Sequence, residues 1–363
     1  MLSSQRFAAR IALGALGRTA EYLTGRHRPW ILNHLVTVRC NLSCPFCYVS
    51  GPEQKEYNSE HYPKRAEMTT SEVQAFYREL VRERFMLAVI VGGEPLLRTD
   101  LDDMLGVLRG HLYVSVFSNG LVLEDRVELV RSATNLFVSL DAPDEEHDVL
   151  RDRPSTFRRA VAGIEAVRRR YPKIDVAVNM TVTGKNAHRV GEMISFTREL
   201  GVPVSFQPPT YQGQFTLEDR PVTPSAENVP DAEVVAEAFR RIDEAARRGD
   251  RIIGSRSFFS QVIQDRRTYP CHYPTYVLGP VLPDGAAVGC TTGQVMGSVR
   301  DGNVRNLLRS GAFADNARAG RCCEVGCRDW GIYDLSALYE RRFSLSDARR
   351  YGRALARRAP VAG

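Results

Sequence analysis

The chain has 363 residues, a formal net charge of +6 and 25% charged residues, enough length to bury a large core and to build two or three domains, or one barrel with an appendage. No apolar run approaches the ~20 residues that span a bilayer. Eight Cys in a chain this long read as metal ligands in a reducing, cytoplasmic compartment rather than as the disulfide frame of a small secreted protein. The charge is concentrated at the ends. Residues 1–30 carry five Arg against Glu21, net +4, and residues 338–363 carry seven Arg against Glu340 and Asp347, net +5, which leaves the middle near −3. A middle of that sign argues against a broad nucleic-acid-binding face, so no nucleic-acid partner is expected.

Residues 1–31 form a basic N-terminal extension in which Arg10 and Arg18 flank an apolar stretch too short for a membrane span. Three readings stay open: an organelle transit peptide, a basic amphipathic helix making peripheral membrane contact through residues 1–30, or a helix packed on the body and ended by the break from Gly25 to Pro29. From Asn33 to about Thr210, short β-rich runs alternate with helical ones. Val36–Arg39 reads as a strand. The capping box Thr69-Thr70-Ser71-Glu72 opens a helix through Phe85. Further strands are expected at Leu87–Val91, Leu112–Phe117, Leu136–Leu140, Val176–Val182 and Val204–Phe206. Helices are expected near Asp102–Arg109, Arg126–Ser132, Phe157–Arg170 and Gly191–Leu200.

This alternation predicts an α/β fold with a parallel sheet and right-handed crossovers. Six units make a partial (β/α)6 barrel, with chemistry in the loops that follow the strands. The division expected is 1–31 extension, 32–230 barrel, 231–337 cysteine-bearing domain and 338–363 Arg-rich tail, the last read as a solvated helix. Residues 212–232 are polar and proline-bearing, a linker or an active-site loop.

Cys40, Cys44 and Cys47 stand in the run Cys-Asn-Leu-Ser-Cys-Pro-Phe-Cys. Three thiolates hold three corners of a cubane [4Fe–4S] cluster, which normally takes four Cys, and an open metal position is suited to chemistry. The competing reading is a three-Cys zinc site completed by a His. The run resembles the Cys-x3-Cys-x2-Cys signature of the radical SAM superfamily. That resemblance implies that the open iron binds S-adenosylmethionine and that the reduced cluster cleaves it to a 5′-deoxyadenosyl radical. Phe46 stands where the family has an aromatic residue against the adenine. Gly92-Gly93-Glu94-Pro95 follows a strand and matches the family's GGEP motif, implying a close backbone approach with carbonyl and carboxylate groups toward the SAM ammonium. Taken alone it is only a tight turn.

Ser118-Asn119-Gly120 resembles the family's turn near the SAM ribose. Ser139-Leu140-Asp141 resembles the Ser-Leu-Asp run of SPASM-type members, where the Ser contacts SAM, and Arg151 occupies the place of an Arg on the SAM carboxylate. A guanidinium suits that bidentate role; Asp152 departs from the Gly common there. Asn179, Gln207 and Tyr211, on or after late strands, are candidates to face a substrate or to be satisfied core polar groups.

The remaining cysteines are Cys271, Cys290, Cys322, Cys323 and Cys327. Cys271 to Cys290 resembles the opening β-hairpin of SPASM and twitch domains, with Pro283-Asp284-Gly285 as its turn. The resemblance implies an auxiliary [4Fe–4S] cluster on Cys271, Cys290, Cys323 and Cys327, with Cys322 as the alternative to Cys323. Five Cys are too few for two auxiliary clusters, so the one-cluster twitch form is favoured over the full SPASM domain; a zinc ribbon is the competitor.

The function expected is therefore a radical SAM enzyme with two [4Fe–4S] clusters and S-adenosylmethionine, abstracting hydrogen from a small-molecule substrate of sugar, nucleoside or aminocyclitol type. Net oxidation would run through the auxiliary cluster, with an external donor such as flavodoxin or ferredoxin. The 39 residues before Cys40 leave little room for a leader-recognition domain, which places a peptide substrate behind a small molecule or a lipid or isoprenoid. A non-catalytic iron–sulfur carrier or a zinc-binding module is the alternative of another class.

Overall fold

The computed structural model describes residues 28–47, 49–51, 66–209, 216–217, 220–221, 230–266, 268–290, 293–300, 302–323, 327–340 and 342–355. The readings made for residues 1–27, for Tyr211 and for most of 212–232 lie outside them. In chain order, β1 (Ile31–Leu35) leads through the cysteine loop to α1 (Thr70–Arg82), β2 (Leu87–Val91) to α2 (Leu101–Gly106), and β3 (Tyr113–Ser118) to a 3-10 segment (Glu124–Val130). Then β4 (Asn135–Ser139) leads to α3 (Glu146–Leu150) and α4 (Thr156–Arg170), β5 (Asp175–Thr181) to α5 (Val190–Leu200), and β6 (Val204–Gln207) to α6 (Ala232–Arg248). Beyond these come β7 (Ile252–Ile253), α7 (Arg256–Ile263), α8 (Tyr273–Tyr276), β8 (Val277–Val281), β9 (Ala286–Val288), β10 (Val295–Ser298), α9 (Val304–Leu308), α10 (Gly311–Gly320), α11 (Trp330–Tyr339) and α12 (Leu345–Leu355).

Apart from a short antiparallel pair, Thr216–Leu217 with Arg220–Pro221, the strands form one open sheet in the order β10-β9-β8-β1-β2-β3-β4-β5-β6-β7. Every pair from β8 to β7 is parallel, and β8-β9 and β9-β10 are antiparallel. The (β/α)6 unit is thus β1 to β6, an α/β partial barrel as the alternation predicts. The segment after residue 231 extends the same sheet at both edges, through β7 and through the β8-β9-β10 hairpins. Strand periodicity separates the faces. Leu32, Ala88, Ile90, Val114, Val116, Leu136, Val138, Val176 and Val178 join the main core with the apolar stripes of α1 and α4 to α6. The opposite, inner face carries paired polar groups: Ser115 donates to Asn135 (2.8 Å), Ser205 to Asn179 (2.8 Å), and Asn33 to the Tyr273 hydroxyl (2.8 Å).

Three local expectations are corrected. Strand β1 is Ile31–Leu35, and Val36–Arg39 is the turn after it. Its carbonyls face the β2 exit, where Thr37 O accepts Gly93 N–H and Arg39 O accepts Glu94 N–H, both at 2.8 Å. Helix α1 has the expected capping box but stops at Arg82 rather than Phe85. Arg84 takes φ 60°, and the bonds Phe85 N–H to Leu80 O (3.0 Å) and Arg84 N–H to Val81 O (3.1 Å) make a Schellman ending with Arg where Gly is usual. The segment read as a helix over Arg126–Ser132 is a kinked 3-10 run over Glu124–Val130.

The C-terminal helix is likewise not a solvated one. α12 buries Asp347, Arg350 and Ala354, and Ala354 packs with Phe137, Ala177 and Ile253 beside Phe117, Trp330 and Tyr351. Together α11 and α12 cross the open side of the barrel. Tyr339 on α11 stacks on Tyr276 (3.8 Å, 9°) and accepts the Trp30 indole N–H (3.1 Å). Asp334 on the same helix accepts Ser255 N–H at 2.9 Å, and also the hydroxyls of Ser255 and Tyr351. The Arg251 guanidinium caps the far end at Ala354 O (3.0 Å).

Burial pushes the Asp334 carboxyl up to about 7 against those hydrogen bonds. A raised carboxyl favours the native state in its protonated form. Its contribution is fully present below the ordinary value of 3.8 and is lost as pH rises through about 7. Urea unfolding should therefore show the native protein losing roughly 1–3 kcal/mol more between pH 5 and pH 8 than Asp334→Asn does. Equal losses in the two proteins would contradict the assignment.

Candidate active site

The loops at the C-terminal ends of β1 to β4 converge. The glycines of Gly92-Gly93 are required by this convergence: a Cβ would stand 2.6 Å from Thr37 O at Gly92 and 2.3 Å from Arg39 O at Gly93. No side chain fits between those backbones, so the close approach at this turn is made to the stem of the cysteine loop. Gly51 does the same at the other end of that loop, where a Cβ would lie 2.6 Å from Cys47 O.

Within the loop, Cys40, Cys44 and Cys47 gather with Leu42, Phe46 and Leu121. Backbone N–H groups point at the sulfurs. Leu42 N–H lies 3.4 Å from Cys40 Sγ, and the N–H groups of Val49 and Ser50 lie 3.4 and 3.3 Å from Cys47 Sγ. Such donors stabilise thiolate character, whereas burial opposes it. Burial raises the Cys40 thiol and pushes Cys44 up to about 12, the nearby Arg151 countering it at Cys44.

Glu94 is fully buried and its carboxylate is spent on the protein. It accepts Leu96 N–H (3.0 Å), the Ser118 hydroxyl (2.9 Å) and Asn119 N–H (2.7 Å). Burial raises its pKa, and these bonds work against the rise. Pro95 begins the buried 3-10 turn that follows. Ser118 also accepts Gly120 N–H (3.0 Å), while Asn119 donates to Asn41 Oδ1 (2.8 Å) and lies 3.8 Å from Cys40 Sγ. Ser118, Asn119 and Glu94 are therefore one hydrogen-bonded unit against the cysteine loop.

The exit of β4 supplies a cation. Arg151 is buried, donates through Nε to Asp141 Oδ2 (2.5 Å), sits 3.8 Å from Cys44 Sγ and lies 5.2 Å over the Phe46 ring. The predicted pair Phe46 and Arg151 thus stands together beside the thiols. Ser139 ends β4 half-buried, in register with Asn179 on β5. Asn179 is buried and accepts Ser205; Gln207 ends β6 half-buried. Asp141 closes the Ser-Leu-Asp run, yet the sequence points there only to Ser139, because the ten-residue reach from Asp141 to Arg151 is not a periodic pattern.

The later cysteines form a second group. Cys271 and Cys327 are buried with Trp30, Ile31, Tyr273, Tyr276 and Tyr339, and Cys290 and Cys323 pack against the same cluster. Burial raises Cys290 well above its ordinary value, and the neighbouring Cys327, Cys271 and Cys323 raise it further. Cys322 is exposed and is absent from this set. The hairpin turn is as read: Gly285 takes φ 89° and Asp284 accepts Ala286 N–H at 3.1 Å. This group lies at the N-terminal end of β1 and the first group beyond its C-terminal end, so the strand separates them by roughly 15 Å at ~3.3 Å per residue. Among the described residues, no three or more His, Cys, Asp or Glu stand in an arrangement that would hold a metal ion. A cubane spreads its ligands over four irons, whereas a single zinc draws thiolates to about 2.3 Å.

The donor set suits iron–sulfur ligation: three thiols in an apolar nest with N–H donors aimed at two of them, and a glycine-lined stem that a Cβ would fill. Residues 35–197 match the radical SAM superfamily. A probable GTP 3′,8-cyclase of Methanosarcina mazei is 30% identical over 168 residues, 45% of this chain and 49% of that protein. An AdoMet-dependent heme synthase of Methanosarcina barkeri is 29% identical over 201 residues, 53% of this chain and 55% of that protein. Streptococcus suis SuiB bound to S-adenosylmethionine shares the fold, with a TM-score of 0.62 at 14% identity over 87% of this chain and 77% of that one.

The stretch over residues 35–197 is a radical SAM domain. The chain thus shares a domain with enzymes that use a [4Fe–4S] cluster and S-adenosylmethionine. It spans about half the length of the curated relatives it matches, and no helix among the described residues is long and apolar enough to cross a membrane. Replacing Gly93 by Ala should force the cysteine-loop stem away from the β2 exit, costing ~1–3 kcal/mol as an overpacked contact. Thermal unfolding and iron content after reconstitution check this; a variant with unchanged melting temperature and iron would contradict it.

Proposed function

We propose that this enzyme abstracts a hydrogen atom from a small polar molecule of sugar, nucleoside or aminocyclitol type, and that the substrate radical then loses a proton and gives one electron to a second [4Fe–4S] cluster, a net two-electron oxidation. The observation that carries this reading is the placement of two cysteine groups at opposite ends of one strand, with a polar inner face between them. Cys40, Cys44 and Cys47 would hold the first cluster, and Cys271, Cys290, Cys323 and Cys327 the second. When bound and reduced, the first cluster with SAM supplies a 5′-deoxyadenosyl radical.

The rest is positioning and water exclusion by the protein. Phe46, Gly92, Gly93, Glu94, Pro95, Ser118, Asn119 and Arg151 line the cysteine loop or brace it, and Ser139 stands at the β4 exit beside them. Asn33, Asn179 and Ser205 present donors and acceptors on the inner face, suited to hydroxyl groups. Phe117, Phe137, Trp330 and Tyr351 shut one end of that space, which favours a small substrate. The similarity to a probable GTP 3′,8-cyclase, whose substrate is a nucleotide, supports the same class. Four thiols ligating one cluster leave no iron free, which suits electron transfer over substrate binding. A flavodoxin or ferredoxin would deliver the reducing electron.

Anaerobic reconstitution with dithionite and SAM should release 5′-deoxyadenosine, with iron near ~8 per chain for two cubanes. Cys271→Ala should lower iron toward ~4 while Cys322→Ala leaves it unchanged. Intact cluster absorbance with no 5′-deoxyadenosine would defeat the catalytic reading in favour of an electron carrier. Deuterium transfer into 5′-deoxyadenosine from a peptide or an isoprenoid, and from no sugar or nucleoside, would replace the substrate class.

A further inference from the structure

The buried polar group least explained by the proposal above is Asp141, on the loop after β4. It is wholly buried, and each carboxylate oxygen has its own donor: Oδ2 takes Arg151 Nε at 2.5 Å and Oδ1 takes Thr181 N–H at 2.9 Å. The backbone around it is equally constrained. Asp141 N–H donates to His147 Nδ1 (3.0 Å), and Asn186 donates to Asp141 O (2.9 Å). Burial lowers the His147 ring to about 4, so it stays neutral with its proton on Nε2 and its Nδ1 free to accept. The β5 end thus holds the carboxylate, while α3 and the end of the loop that follows β5 hold the Asp141 backbone.

That carboxylate in turn fixes a cation. Arg151 has the Nε side of its fork on Asp141, its plane over Phe46 at 5.2 Å, and an Nη 3.8 Å from Cys44 Sγ. An unanchored Arg in this position would carry a large rotamer entropy and would be drawn toward water. Asp141 removes that freedom, and it sits on the side of the guanidinium away from the thiol.

We propose that Asp141 is a positioning residue that holds the Arg151 guanidinium against the Cys44 corner of the three-thiol site, so that a fixed positive charge favours the reduced state of a cluster bound there. The proposal rests on Cys40, Cys44 and Cys47 being that cluster's ligands. Reduction places one further electron on the cluster, delivered by the external donor, and a cation held at a ligand sulfur stabilises the added charge. By Coulomb's law alone the Asp141 carboxylate, being negative, would disfavour reduction. A positioning role therefore predicts the opposite sign from a simple charge effect.

The test is an EPR-monitored redox titration of the anaerobically reconstituted full chain, following the signal that changes when SAM is added. Arg151→Gln should lower the midpoint potential. Asp141→Asn should lower it too, although a negative charge has been removed. An Asn offers one oxygen and one NH2 where Asp offered two acceptors, so Arg151 Nε and Thr181 N–H are no longer both satisfied. Asp141→Glu keeps the charge and moves the carboxylate by one methylene; it should also lower the potential, and it remains informative if Asp141→Asn does not fold. In the Arg151→Gln background, Asp141→Glu should have no further effect, since the two act as one unit. A potential that rises in Asp141→Asn, or stays fixed in Asp141→Glu, would overturn the proposal. Retention of the SAM-responsive signal in a Cys40→Ala, Cys44→Ala, Cys47→Ala protein would instead overturn the ligand assignment, a separate failure.

Discussion

Glu94 ties three strand exits into one surface. Its backbone N–H reaches the β1 exit at Arg39 O, and its carboxylate oxygens hold the turn after β2 through Leu96 and the turn after β3 through Ser118 and Asn119. A buried carboxylate is costly unless its acceptor sites are filled, and here three donors fill them. Losing the carboxylate would leave those donors unpaired in the interior and would uncouple the cysteine loop from the sheet. The two preceding glycines serve the same junction, since neither position has room for a Cβ against the loop stem.

With that junction set, the barrel's open side is the next constraint. Parallel strands need both faces covered, and the helices α1 and α4 to α6 cover only the outer one. The inner face is completed by α11 and α12, which bring Trp330, Tyr351 and Ala354 against Phe137, Ala177 and Ile253. The same closure brings Cys327, just before α11, to Cys271 and Cys290. The second cysteine group and the closure of the barrel are therefore built from the same segments. This is why strands beyond residue 231 belong to the barrel sheet.

Much of the fold was legible because it is written in local periodicity. The capping box at Thr69 and Glu72, the strands β2 to β6 and the helices α4 and α5 all appear within a residue or two of where their patterns place them. Local pattern fails where tertiary contacts decide. Val36–Arg39 is β-rich yet becomes a turn because Gly93 and Glu94 donate to its carbonyls. Helix α1 ends at a left-handed Arg84, a conformation no Gly announced. The Arg-rich tail reads as solvated by composition, yet Asp243 and Asp347 receive Arg350 and the helix buries one face.

For the candidate site, the thiol spacings, the glycine pair and the Arg151 position were visible as chemistry before any coordinates, because each depends on residue type at short range. The spacing of Cys40, Cys44 and Cys47 by itself set the expectation of a cluster with an open corner. Only the tertiary structure decided what surrounds that corner. Asp141 meets Arg151 and Thr181 across distances in sequence that no periodicity encodes, and Cys271, Cys290, Cys323 and Cys327 become neighbours while Cys322 turns to solvent. The physical reason is the same in both cases: a thiol's capacity to bind iron is a property of the residue, whereas a buried charge or a buried thiol is defined by everything folded around it.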